Sequence, residues 1–319
     1  MIPQPIRILF LGCGAATRLH SKLLVGQASV ELAYASSDAA RAAAFAREFG
    51  GVCAWGSYED ALADASSQVV LVATPTNTHA ALTLNSLRAG KHVIVEKPAF
   101  MTSAEAEVVR EAARLAQRQV FVAENYVYKP MAVDIREAIG SGELGDIRFV
   151  SINATRWQEA KGWRANAELS GGGALFEAGV HWISFAAQIG LEILDIRGWR
   201  VGARTGADRS SLVAIQYANG AMGTLAHSWE LRGTLRGARL SKVQGTRGSI
   251  TFESNGFVSA TSGTRPRIRA HFRDPLGYRA MHAAFLHALR HGEEPYYTLD
   301  MATQDLRWLE LAQAGVDAE

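Results

Sequence analysis

Three short stretches of this chain carry side chains whose types and spacing suit chemistry. In "GGGALFEAGVHWIS" (171–184) Glu177 and His181 stand four residues apart behind three glycines. On a helix that spacing puts both on one face, one turn apart. An imidazole there can take or return a proton near neutral pH, and a neighbouring carboxylate can orient it or hold a substrate. The pair alone would also serve as an ordinary helix-surface pair. No further cluster of ligand-like spacing stands beside it, so no metal is expected. In "AGKHVIVEKPAF" (89–100) Glu96-Lys97-Pro98 closes an apolar run. Open parallel sheets bind ligands beyond the carboxyl ends of their strands, so Lys97 is aimed at a crevice. Its ammonium would hold a substrate oxygen and stabilise developing alkoxide charge.

The third stretch, "FLGCGAATRLH" (10–20), follows the first apolar run and opens a helix. Gly12 permits a tight turn, and Gly14 lets backbone approach a pyrophosphate. The helix start at Ala15 and Ala16 offers free N–H groups to that anion. Thr17 stands where the third glycine of a dinucleotide fingerprint is usual. The second apolar run closes in "YASSD" (34–38) without a carboxylate at its end. Ser36 and Ser37 would then face the adenosine ribose, with Arg41 a partner for a 2′-phosphate. NAD and NADP both remain open.

These residues need a scaffold, and the chain supplies one. "IRILFLG" (6–12), "ELAYAS" (31–36), "VCAW" (52–55), "QVVLVATP" (68–75), "HVIVEKP" (92–98) and "QVFVAEN" (119–125) read as strands. Helical stretches such as 37–50 and 102–117 separate them. Continuous Val/Ile/Leu strands alternating with helices predict a doubly wound parallel sheet, the Rossmann arrangement. After about residue 145 the pattern changes. Asn219-Gly220 lies within 211–229 and Asn255-Gly256 within 248–260, each a strong hairpin signal. A mainly antiparallel open sheet is expected, with helices near 174–190, 277–291 and 300–314. The α/β chain is therefore read as a dinucleotide-binding domain (1–123) and a substrate-binding and oligomerisation domain (124–319).

The 319 residues are 48% hydrophobic and 20% charged, with net charge +2, which gives no electrostatic case for nucleic acid or an anionic membrane. Two cysteines, Cys13 and Cys53, make no disulfide framework and suit a reducing cytoplasm. No apolar run reaches the roughly 18 residues of a membrane span, and the N-terminus does not read as a signal sequence.

Together "GCGAATRLH", "ATPTNTHA" (73–80), "AGKHVIVEKP" and 162–184 resemble the Gfo/Idh/MocA oxidoreductase family, and the likeness runs over nearly the whole chain. The resemblance implies that Lys97 is catalytic and His181 the acid/base. Glu177 stands at a position where the family usually has aspartate, and Ser184 replaces another carboxylate. It also places Thr74, Pro75, Asn77, His79 and Glu96 beside the cofactor. The implied activity is NAD(P)-dependent hydride transfer to or from a hydroxyl/ketone carbon of a sugar, cyclitol or related polyol, in a homodimer or homotetramer. Relatives of this fold that cleave glycosidic bonds, and non-catalytic dinucleotide-binding regulators, are the alternatives. Tyr126 is either a pocket residue or a packed tyrosine, and Trp157, Trp163 and Arg164 are candidate pocket walls.

Overall fold

A computed structural model describes residues 5–159, 172–203, 205–232 and 237–317. The chain divides into two compact units, Met1–Ala123 with Phe285–Thr303, and Glu124–Ala284 with Gln304–Glu319.

The first unit is built on a six-stranded parallel sheet of order β3-β2-β1-β4-β5-β6. The strands are β1 (Ile6–Leu11), β2 (Val30–Ala35), β3 (Cys53–Trp55), β4 (Val69–Val72), β5 (His92–Val95) and β6 (Val120–Val122). Helices α1 (Ala15–Leu24), α2 (Ala39–Phe49), α3 (Tyr58–Ala63), α4 (His79–Arg88) and α5 (Ser103–Ala116) connect them. All four residues of β4 are buried, as strands covered on both faces require. Phe10 stacks on Tyr34 at 5.3 Å between centroids, and Phe45 and Phe49 of α2 close over that tyrosine. Register pairs Leu11 with both Ala35 and Val72, Val72 with Val95, and Val95 with Val122. The strands therefore end level, and the turns after β1, β2, β4 and β5 emerge at one edge. Five of these strands stop sooner than the apolar runs suggest, because turn geometry rather than hydrophobicity ends them. β1 stops before Gly12, where φ reaches +98°.

The second unit carries an eight-stranded sheet of order β14-β13-β12-β11-β7-β10-β9-β8. Its strands are β7 (Ile147–Thr155), β8 (Ile193–Arg200), β9 (Ser210–Tyr217), β10 (Met222–Ser228), β11 (Leu240–Gly245), β12 (Ser249–Glu253), β13 (Val258–Ser262) and β14 (Arg267–Ala270). Every pairing is antiparallel except β7 with β10. Both Asn-Gly pairs turn hairpins, β9–β10 and β12–β13. Helix α6 (Pro130–Gly140) follows a 3₁₀ turn at Asn125–Tyr128. Helix α7 (Val180–Ala187) packs on the sheet through Phe185, 5.5 Å from Phe252. Two further helices, α8 (Tyr278–His291) and α9 (Leu299–Asp317), complete the chain. Where α9 crosses β8, a Cβ on Gly315 would strike the Gly198 backbone and one on Gly198 the Ala312 carbonyl.

Candidate active site

In the first unit the turn after β1 is shaped for an anion. A Cβ on Gly12 would sit 2.6 Å from the Ala73 carbonyl oxygen, so only glycine fits. A Cβ on Gly14 would meet nothing within 4 Å. Gly14 caps α1 without a side-chain hydrogen bond, and no acidic residue lies in the first turn. The N–H groups at Ala15 and Ala16 thus keep their partial positive charge for a ligand. Thr17 is fully buried and donates its hydroxyl to the Gly12 carbonyl at 2.6 Å, holding the turn that a third glycine would otherwise favour. These features fit a pyrophosphate.

Ser36, buried at the end of β2, accepts the Asp38 N–H at 3.2 Å, while Ser37 is exposed. Asp38 is committed as the N-cap of α2, accepting from the Arg41 N–H, and its carboxylate lies 3.8 Å from the exposed Arg41 guanidinium.

The Glu96-Lys97-Pro98 turn is held from below. Glu96 is buried, 2.6 Å from His20 Nε2, and its other oxygen accepts the Lys97 N–H at 3.0 Å. Burial alone would raise its carboxyl, but His20 and Lys97 outweigh that and hold it at about 2. His79 is buried too. Its Nδ1 lies 3.0 Å from the Pro98 carbonyl and its Nε2 2.9 Å from that of Thr74. Burial pushes this imidazole below its ordinary value. His79 and Glu96, expected beside the cofactor, direct these polar atoms to His20 and to the backbone of the turns. Thr74 and Pro75 are half-buried there, with Thr74 Oγ1 2.6 Å from Thr78 Oγ1, and Asn77 is exposed.

In the second unit Glu177 and His181 do not share one regular helix. Leu175–Gly179 is a π-helical turn and His181 belongs to α7, so the four-residue spacing spans a change of pitch. Ahead of this turn Gly173 lies against Asp208, whose carboxylate an added Cβ would strike. That carboxylate accepts the Leu175 N–H at 2.9 Å and anchors the turn. Burial raises the Asp208 carboxyl, the Leu175 bond working against it.

The carboxylate on His181 is Glu124. Its Oε1 lies 2.7 Å from Nδ1 and also accepts the Tyr126 N–H at 3.0 Å, with the side chain only 1% exposed. Tyr126 stacks on the imidazole, centroids 4.2 Å apart and planes 11° apart, and meets Trp182 edge-on. The tyrosine is thus packed and also flanks the imidazole. Glu177 is buried, and its charge acts on His227 of β10. Burial first, then Arg156, push His227 down to about 3, so it stays neutral. Trp157 is half exposed, with the Arg232 guanidinium 4.9 Å from its ring centroid. Trp163 and Arg164 lie outside the described residues.

Glu124 escaped the reading of the sequence, although it ends the run "QVFVAEN" just as Lys97 ends its own. Strand-end position was the available signal. Among the described residues no group of three or more His, Cys, Asp or Glu side chains is placed to hold a metal. No helix there is long and apolar enough to cross a membrane.

Comparison with known proteins agrees with this geometry. The model of the Gfo/Idh/MocA oxidoreductase family with NAD-binding Rossmann fold matches residues 6–124, and that of the family's C-terminal domain matches 133–251. D-glucoside 3-dehydrogenase of Escherichia coli K12 is 30% identical over 193 residues, 59% of this chain and 55% of that protein. A second curated relative is matched over 53% of its length, so the chain spans about half the length of these first relatives. Trans-1,2-dihydrobenzene-1,2-diol dehydrogenase of Bos taurus is 31% identical, over 68% of this chain and 64% of that protein. The structure of GenD2 from gentamicin A biosynthesis, in complex with NAD, superposes with a TM-score of 0.87 at 23% identity, covering 100% of this chain and 96% of that one. With an anion-shaped turn, a lysine at a parallel strand end and matches to both family domains, the chain belongs to the Gfo/Idh/MocA oxidoreductase family and carries its NAD-binding Rossmann domain.

Proposed function

We propose that this protein is an NAD(P)-dependent dehydrogenase or reductase acting on a hydroxyl/ketone carbon of a sugar, cyclitol or related polyol. The observation that carries this reading is the Glu124–His181 pair. A carboxylate at Nδ1 accepts a hydrogen bond there, which favours the imidazole proton on Nδ1 and puts the ring's lone pair, the base, on Nε2. In the oxidative direction Nε2 takes the substrate hydroxyl proton; in the reductive direction the imidazolium returns it. Lys97 donates to the substrate oxygen and stabilises its negative charge. Glu177, with Tyr126, holds substrate. Trp163 and Arg164 keep the pocket-wall roles expected of them. Gly12, Gly14, Ala15 and Ala16 hold the pyrophosphate, and Ser36, Ser37 and Arg41 face the ribose. When bound, the nicotinamide supplies hydride acceptance and donation. The domain through residue 123 binds dinucleotide and the remainder binds substrate. The sugar-like substrate class is supported by the name of the E. coli relative. The two free cysteines suit a cytoplasmic protein.

A panel of sugars, cyclitols and keto-sugars, with NAD and NADP or their reduced forms, tests the reading by absorbance of the reduced nicotinamide. At least one substrate should turn over, and Lys97→Ala should lower that turnover at least about a hundredfold. A near-wild-type rate in the variant would remove Lys97 from the chemistry.

A further inference from the structure

Behind Tyr126 lies a cation that the proposed chemistry does not use. Lys129 is 0% exposed, and its Nζ sits 3.6 Å from the Tyr126 ring centroid. It donates to the carbonyls of Ser254 and Asn255 at 3.2 and 3.4 Å, at the β12–β13 turn. Its backbone caps the N-terminus of α6, the end where a cation is least favourable. Burial first, then Arg239, and Arg156 more weakly, push the ammonium down to about 7, with Glu124 and Glu253 working against them. An ammonium 3.6 Å from a ring centroid and an imidazole stacked at 4.2 Å cannot share one ring face without overlapping. Lys129 and His181 therefore lie on opposite faces of Tyr126.

We propose that Lys129 is a positioning residue for His181, its charge acting through the Tyr126 ring to offset Glu124 and keep the imidazole unprotonated. Glu124 at Nδ1 favours imidazolium, a form that cannot accept a substrate proton. A cation about 8 Å away on the far side of the ring opposes that protonation. It also draws on the ring's negative face, which would otherwise attract imidazolium. Among the described residues, Glu177 on the preceding turn, His227 on β10, and Arg156 and Arg239, whose charges act on both Tyr126 and His227, are further titratable or charged groups near the imidazole, with Glu253 acting on Tyr126. The idea rests on the reading of His181 as the proton acceptor, so its test needs a readout independent of turnover.

The test is NMR titration of the His181 ring in the full-length protein, beside the pH dependence of oxidation. Lys129→Gln keeps donors for the Ser254 and Asn255 carbonyls but removes the charge. It should raise the His181 pKa by about 0.5 to 1.5 units. The acidic limb of oxidation should move to higher pH by the same amount, so the rate deficit shrinks as pH rises, and Lys129→Arg should restore both. A folding defect would instead lower the rate at every pH. Lys129→Met provides the same measurement if the Gln variant does not fold. An unchanged His181 pKa in a folded variant overturns the proposal. A pKa that moves while the acidic limb stays would keep Lys129's role and remove His181 as the proton acceptor.

Discussion

Glu124 decides which His181 nitrogen is available, and that decision is testable at a single atom. Glu124→Gln replaces an obligatory acceptor by an amide that can donate to Nδ1 and so move the imidazole proton to Nε2. Oxidation should fall by about a hundredfold or more, the scale seen when a histidine is held in the wrong tautomer. What activity remains should lose its acidic limb toward lower pH, because removing the carboxylate removes support for imidazolium. Dinucleotide affinity, measured by fluorescence titration, should not change. A wild-type pH profile would mean that the proton goes elsewhere, with Tyr126 the next candidate. At this scale the sequence was informative where chemistry follows a local motif. Gly12, Lys97 and His181 could be singled out because a turn, a strand end or a spacing marks each. Lys129 could not, because the Ser254 carbonyl it donates to lies 125 residues away in the chain, and Glu124, though it too stands at a strand end, has its partner 57 residues away.

The elements were legible to the extent that local patterns determine them. Continuous apolar runs identified the parallel strands, and two Asn-Gly pairs identified hairpins. The π-helical turn was not legible, because nothing in "LFEAG" distinguishes it from α-helix. It is fixed from outside, by Asp208 reaching Leu175. The β12–β13 hairpin shows the same limit: its turn was expected, but not that two of its carbonyls would hold a buried lysine. Where β2 ends, however, local sequence has a direct consequence for cofactor choice. No carboxylate occupies the strand end, and Asp38 is drawn away to cap α2. A 2′-phosphate there would meet hydroxyls and Arg41, whose guanidinium lies 3.8 Å from the Asp38 carboxylate, and NADP should be accepted. Ser36→Asp should shift the ratio of kcat/KM toward NAD by about tenfold or more through charge repulsion. Ser37→Asp, at the exposed neighbour, gives the same test without burying a carboxylate. If neither variant changes the ratio, the ribose lies elsewhere.

Across the second unit the sheet has one covered and one open face, and the open face carries exposed apolar side chains among polar ones. Register pairs Met222 with Phe149, while Leu212 opposite Ala226 and Leu240 opposite Glu253 fall on the same side. These four side chains are 43, 58, 42 and 67% exposed, respectively, on neighbouring strands β10, β7, β9 and β11. Phe149 and Met222 pair at one end of this face, and Lys242, Ser151, Thr224 and Ala214 separate them from Leu240 and Leu212. A patch of exposed apolar side chains marks an association surface more often than a free one. A second copy of the chain meeting it face to face would bury the patch with two-fold symmetry, the commonest arrangement of homo-oligomers. We expect the protein to be a homodimer or homotetramer at micromolar concentration. Sedimentation should give a multiple of the 34.4 kDa chain mass. Phe149→Glu together with Met222→Glu puts two carboxylates on this face, where a second copy seated on it would strip them of water. That double variant should dissociate to monomers while circular dichroism stays unchanged, since both side chains point away from the core. A wild-type protein that sediments as a single chain, or a double variant that stays assembled, would show that the open sheet face is not what joins the subunits.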